Sequence, residues 1–149
     1  MAVRILFGTE SGNAELVASD IEDALAAETS EDLDVDDLAN VDVNAFNSDD
    51  RYLIICSTHG EGDLPYSAQP FVAALENEKP DLTGVRFAVF GLGDSTYENY
   101  SKGSERVVAA LESLGASRVG EYGRHDAASP DDASDLAVAW APEALAAFE

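Results

Sequence analysis

Lysine is nearly absent from this chain of 149 residues, occurring only as Lys79 and Lys102, and cysteine occurs once, as Cys56. A lone cysteine excludes an internal disulfide and any cysteine-based metal cluster. Its place inside the apolar run "YLIIC" (Tyr52 to Cys56) reads as a buried structural thiol. No apolar run approaches the roughly 20 residues needed to cross a bilayer. The opening "MAVRILFGTESG" has too short an apolar part for a secretion signal, so a cytoplasmic protein is expected. Positive charge is scarce overall, with 8 basic residues against 30 acidic ones and a formal net charge of −22. Nucleic acid and anionic membrane surfaces are therefore poor partners, whereas a protein with a basic patch is a good one. The acids are spread through "ETSEDLDVDD", "NSDDR" and "SPDDASD". That dispersion also suits a surface kept soluble in concentrated salt, where repulsion is screened within about 3 Å at 1 M.

What the chain does have is enough apolar residue, 46% of the total, to bury a core. No linker, repeat or low-complexity block divides it, so residues 1–149 read as a single domain and a monomer. Short solid apolar runs alternate with helical periods. Val3 to Gly8, Arg51 to Ser57 and Val85 to Gly93 read as buried strands, Leu33 to Leu38 as a half-exposed one, and "SRVGEYG" (Ser117 to Gly123) as the last. The helices are predicted over Asn13 to Ala27, Ala68 to Asn77, Ser104 to Gly115 and Asp131 to Phe148, the last reset locally at Pro142. Val17, Ile21 and Leu25 form one apolar face, and Val107, Leu111 and Leu114 another, the latter followed by a glycine stop. Strands alternating with helices imply a parallel α/β sheet covered on both faces. Ligands of such sheets bind just beyond the carboxyl ends of the strands.

Three loops lie in that position. "GTESGNAE" (Gly8 to Glu15) offers small polar side chains, two glycines and a helix N-terminus, which together make a neutral cradle for an anion. It lacks the lysine of a nucleoside-triphosphate loop, so a terminal monophosphate fits better than a triphosphate. Taken alone, it reads first as an ordinary helix start capped by Ser11 or Asn13. "STHGEGDLPY" (Ser57 to Tyr66) has two glycines that let backbone approach a flat ligand closely. Its carboxylates Glu61 and Asp63 read as a solvated rim, since no nucleophile accompanies them, and His59 as a group facing a planar ligand. "GLGDSTYENYSKG" (Gly91 to Gly103) places Tyr97 where an aromatic ring can stack, with Tyr100 covering the helix that follows. One phosphate cradle and two loops with flat side chains describe a site for an aromatic mononucleotide.

"GTESGNAE", "STHGEGDLP" and "FGLGDSTYENY" resemble the three FMN-binding loops of the flavodoxin family, in order and spacing over essentially the whole chain. The resemblance is closest to short-chain flavodoxins and to the FMN domains of diflavin reductases and sulfite reductase flavoproteins. It implies a five-stranded parallel sheet of order 2-1-3-4-5 with helices on both faces. It also implies FMN as cofactor, with no metal. Thr9, Glu10, Ser11, Gly12, Asn13 and Ala14 would bind the phosphate, Glu10 through its N–H. Ser57, Thr58, His59, Gly60, Glu61 and Gly62 would flank one face of the flavin. Leu92, Gly93, Asp94, Tyr97, Asn99 and Tyr100 would form the other wall, and Asp126 matches an acidic residue near the cofactor. Related domains often carry tyrosine at the position of His59, where this chain departs from the pattern. The Gly60 carbonyl would lie near flavin N5, and a net hydrogen bond of about 1 kcal/mol there would shift a one-electron potential by about 40 mV.

The implied function is an electron carrier without substrate chemistry of its own, serving redox partner proteins. A phosphoreceiver domain shares the architecture but needs an Asp ending the third strand and an acidic pair after the first. Here those places hold Cys56-Ser57 and Thr9-Glu10. An FMN-dependent reductase would need a substrate pocket beside the flavin, and no segment is long enough to roof one. A subunit of a larger NAD(P)H-linked reductase stays open.

Overall fold

The computed structural model of the chain describes residues 2–9, 12–30, 32–57, 64–93, 102–126 and 132–148. Its elements are β1 (Ala2–Gly8), α1 (Asn13–Ala26), β2 (Asp32–Asp37), β3 (Arg51–Ser57), α2 (Gln69–Glu78), β4 (Arg86–Gly93), α3 (Lys102–Glu112), β5 (Ser117–Arg118), β6 (Gly123–Asp126) and α4 (Ala133–Ala146). The strands form one parallel sheet of order β2-β1-β3-β4-β5, with β6 also paired to β4. This is the expected order.

The solid apolar strands are central, and alternation divides their side chains between two cores. Val3, Ile5 and Phe7 of β1, with Leu53, Ile55 and Phe90, pack against Val17, Ile21 and Leu25 of α1 and against Ala137, Trp140 and Ala141 of α4. Leu6, Ile54, Cys56, Phe87 and Val89 face the other way, against Phe71, Val72 and Leu75 of α2 and Val107 and Leu111 of α3. The alternating β2 lies at the edge with its acidic side chains outward or half-buried.

Three expectations need correction. The final strand, expected as one run, is two short segments, β5 and β6, which share the fifth position of the sheet. Between them the chain leaves the ladder for other partners. The Trp140 indole N–H donates to the Glu121 carbonyl at 2.9 Å, and the Tyr122 hydroxyl meets Ser104 Oγ at 2.5 Å. The strand then resumes as β6, three residues beyond its expected end, which carries Asp126 to the rim. Pro142 does not reset α4, which runs through it as one helix and does without a single N–H donor there. The cap of α1 is neither Ser11 nor Asn13 but Gly12, at φ +95°. The connection from β2 to β3 holds the 3-10 turn Leu38–Asn40 and no α-helix.

Candidate functional site

Parallel register fixes which residues meet at the carboxyl-end rim. Gly8 pairs with Cys56, Ser57 with Leu92, and Gly93 with Asp126. Thr9, Ser57, Leu92, Gly93 and Asp126 therefore lie along one edge of the sheet, as expected. Glu10, Ser11, Thr58, His59, Gly60, Glu61, Gly62, Asp94, Tyr97, Asn99 and Tyr100 lie outside the described residues, and so does Asp63.

Beneath the rim the floor is apolar and tight. Cys56 is fully buried, and burial pushes its thiol up to about 12. That thiol is structural, as its setting in the sequence predicted. A Cβ on Gly8 would stand 3.1 Å from Ala68 Cβ, Cys56 Sγ and Leu38 Cδ1, so only glycine lets β1 end against these three.

The turn from β1 into α1 is built from hydrogen bonds. Gly12 N–H donates to Thr9 Oγ1 at 2.7 Å, and the first bond of the helix runs from Leu16 N–H to the Gly12 carbonyl at 3.1 Å. No side chain caps the helix, and the N–H groups of Asn13, Ala14 and Glu15 come before Leu16, the first donor of its internal ladder. Because Thr9 Oγ1 already accepts a bond, its own proton is left to donate elsewhere. A Cβ on Gly12 would find nothing within 4 Å, so the space over this turn is open on that side. Hydroxyl and amide donors with no acceptor among the described residues, at the positive end of a helix dipole, fit a phosphate monoester. Residues 9 and 12–14 include no charged side chain to compete for it.

Sequence reasoning missed Ser67. Thr9 N–H donates to Ser67 Oγ at 2.7 Å, and Ser67 N–H donates to the Thr9 carbonyl at 3.1 Å. A serine between Pro65 and a helix start reads as a local cap, and no spacing rule points 58 residues back along the chain.

A second opening lies at the β1–β2 edge of the sheet. Its volume is about 340 Å³, and Arg4, Asp34, Asp36, Asp42, Phe46 and Tyr52 are among its walls. Arg4 Nε donates to Asp50 Oδ2 at 2.9 Å, Asn47 Nδ2 donates to the same oxygen at 2.9 Å, and Asn47 N–H donates to the Tyr52 hydroxyl at 3.0 Å. The Asp50 hydrogen bond holds Arg4 above its usual value, and burial raises Tyr52.

Comparison with known proteins decides the family. The flavodoxin family model matches residues 5–140. The chain belongs to the flavodoxin family. Flavodoxins are FMN-binding electron-transfer proteins, and this chain is one of them. It is 32% identical over 140 residues to Protein MioC of Escherichia coli K12, covering 93% of this chain and 92% of that protein. It is 37% identical over 131 residues to rat NADPH–cytochrome P450 reductase, covering 82% of this chain but only 19% of that protein. Among solved structures, the C101S mutant of Pseudomonas aeruginosa flavodoxin superposes with a TM-score of 0.82 at 31% identity, covering 99% of each chain. Oxidised flavodoxin 1 of Bacillus cereus gives a TM-score of 0.81 at 26% identity, covering 98% of each. The rim with uncommitted donors is thus the end of a flavodoxin sheet, and the β1–β2 opening lies away from it.

Proposed function

We propose that this flavodoxin is a monomeric, single-domain carrier that takes electrons from one redox protein and gives them to another, with no substrate chemistry of its own. The observation that carries the reading is the open turn at Thr9–Ala14, with donors left over beside the carboxyl ends of β1, β3 and β4. Mutual coverage of 98–99% with flavodoxins supports it.

Bound FMN supplies the redox chemistry. The chain's own residues hold it. The Thr9 hydroxyl and the first-turn N–H groups of α1 would hold the phosphate, together with Glu10 and Ser11. Ser57, Thr58, His59, Gly60, Glu61 and Gly62, and Leu92, Gly93, Asp94, Tyr97, Asn99, Tyr100 and Asp126, would hold the ring. The uncharged grip matters in an acidic protein. It binds a dianion without adding basic residues that would distort the surface seen by a partner.

That surface is strongly negative, and a partner with a basic patch complements it. Leu16, on the first turn of α1, is 66% exposed and offers an apolar contact amid these acids. The dispersed acidity also marks salt adaptation of a cytoplasmic protein. A second reading, the FMN portion of an NAD(P)H-linked reductase complex, draws on the match to a part of cytochrome P450 reductase.

Reduction assays test the carrier reading. With NADPH alone, the flavin absorbance of the purified protein stays unchanged. When a separate FAD-containing NADPH reductase is added, it bleaches, and ferric cytochrome c is then reduced. Bleaching by NADPH alone would contradict the carrier reading.

A further inference from the structure

We infer that Ser67 is a positioning residue for the phosphate end of the cofactor site. It reaches across from the 3-10 turn Tyr66–Ala68 and fixes Thr9 in place. The inference rests on the reading of Thr9–Ala14 as the phosphate cradle.

Ser67 takes both main-chain groups of Thr9. Its Oγ accepts from Thr9 N–H at 2.7 Å and its N–H donates to the Thr9 carbonyl at 3.1 Å, although the residues are 58 apart in sequence. Such a two-way clamp on one residue fixes both peptide planes flanking it. Ser67 is 6% exposed, one of the few buried polar residues among those described, so water has little access to compete for its hydroxyl. Its neighbour Ala68 packs its Cβ under Gly8, and Ala68 N–H donates to the Pro65 carbonyl at 3.0 Å, which anchors the turn itself.

The consequence propagates along covalent geometry. With its peptides fixed, Thr9 can aim only its side chain, and Oγ1 receives the Gly12 N–H at 2.7 Å. Gly12 in turn sets the direction from which α1 presents its first N–H groups. Among the described residues Ser67 bonds the main chain of Thr9 and not its hydroxyl. It acts by holding the residue that meets the ligand, and pre-set geometry of this kind is what binding otherwise has to impose.

A residue that merely stabilises the fold would affect every ligand alike, whereas one that aims the phosphate cradle affects only ligands bearing a phosphate. The test is therefore a titration of apo-protein with FMN and with riboflavin, which lacks the phosphate, for wild type, Ser67→Ala, Ser67→Cys and Ser67→Thr. Loss of one buried acceptor corresponds to roughly a tenfold change. Ser67→Ala is expected to weaken FMN by about tenfold while riboflavin changes less than about twofold. Ser67→Cys, a weaker acceptor, should fall between, and Ser67→Thr, which keeps the hydroxyl, should restore FMN binding. Should the alanine variant fail to fold, the cysteine variant supports the same comparison. Equal weakening of both ligands, or no weakening of FMN, overturns the inference while leaving the cofactor assignment standing. A wild-type protein that binds neither ligand overturns the cofactor assignment itself.

Discussion

Two regions of the sheet are built in opposite ways. The β1–β2 edge holds a cavity of about 340 Å³ with charged and aromatic walls, and two of its polar groups, Arg4 and Tyr52, are tied to Asp50 and Asn47 beside it. The described part of the carboxyl-end rim is small and uncharged apart from Leu92 and Asp126, and among the described residues the Thr9 hydroxyl and the first N–H groups of α1 have no acceptor. The difference sets groups already paired with one another against donors that a ligand could use. The same contrast assigns different costs to mutation: damage at the edge should appear in folding, and damage at the rim in ligand binding.

The largest effect expected from that contrast is at Asp50. It is 9% exposed and accepts from both Arg4 and Asn47. Asp50→Ala leaves both donors without that acceptor, and urea unfolding of the apo-protein should show a loss of about 2–3 kcal/mol. FMN affinity should be unchanged; a matching loss of affinity would break the comparison.

Gly12→Ala should do the reverse. At φ +95° an alanine costs about 1–2 kcal/mol, although its Cβ meets nothing within 4 Å. Urea unfolding should show at most that loss, whereas FMN affinity should drop about tenfold, because the turn that presents the first N–H groups of α1 depends on this conformation.

Salt acts on the whole surface and sharpens the contrast by reaching exposed charges while sparing buried pairs. A carboxylate about 10 Å from the ring contributes about 0.8 kcal/mol at an effective dielectric of about 40. Molar salt screens the exposed acids. The potential for the second electron should therefore rise by some tens of millivolts between dilute buffer and molar salt, and thermal stability should rise with it. A flat potentiometric series would contradict the electrostatic account.

The smallest effect concerns the floor beneath the rim. In the unfolded chain the Cys56 thiol ionises near its ordinary value of 9.0, whereas the folded chain keeps it protonated to about 12. Between those values ionisation favours the unfolded state, so this group lowers stability as pH rises through the window. Cys56→Ala should flatten that part of a stability–pH profile. In the native protein, thiol reagents should leave Cys56 untouched at neutral pH, as counting of labelled thiols by mass would show.

Much of this was legible in the sequence because single-period patterns carry it. "RYLIICS" matches β3 at both ends, since a strand buried on both faces must be apolar throughout. The α1 face at Val17, Ile21 and Leu25 is buried as its spacing requires. The turn from β1 into α1 was legible because glycine and small polar residues follow the apolar run that ends at Gly8. The rest depended on tertiary partners that no local pattern records. The final strand breaks because Trp140 and Ser104, from other elements, draw Glu121 and Tyr122 out of the ladder. Ser67 looks like a helix cap until folding brings Thr9 to it. Asp126 reached the rim through a strand longer than its composition suggested, because β4 offers ladder partners up to Gly93.

The central claim is that the carboxyl-end rim holds FMN by its phosphate with uncharged donors. Titrating the apo-protein with FMN, followed by quenching of flavin fluorescence in both dilute buffer and molar salt, tests it most directly. The account predicts saturation at one FMN per chain, with riboflavin binding more weakly in both media. Fluorescence that stays undiminished in both, or riboflavin binding as tightly as FMN, would contradict it.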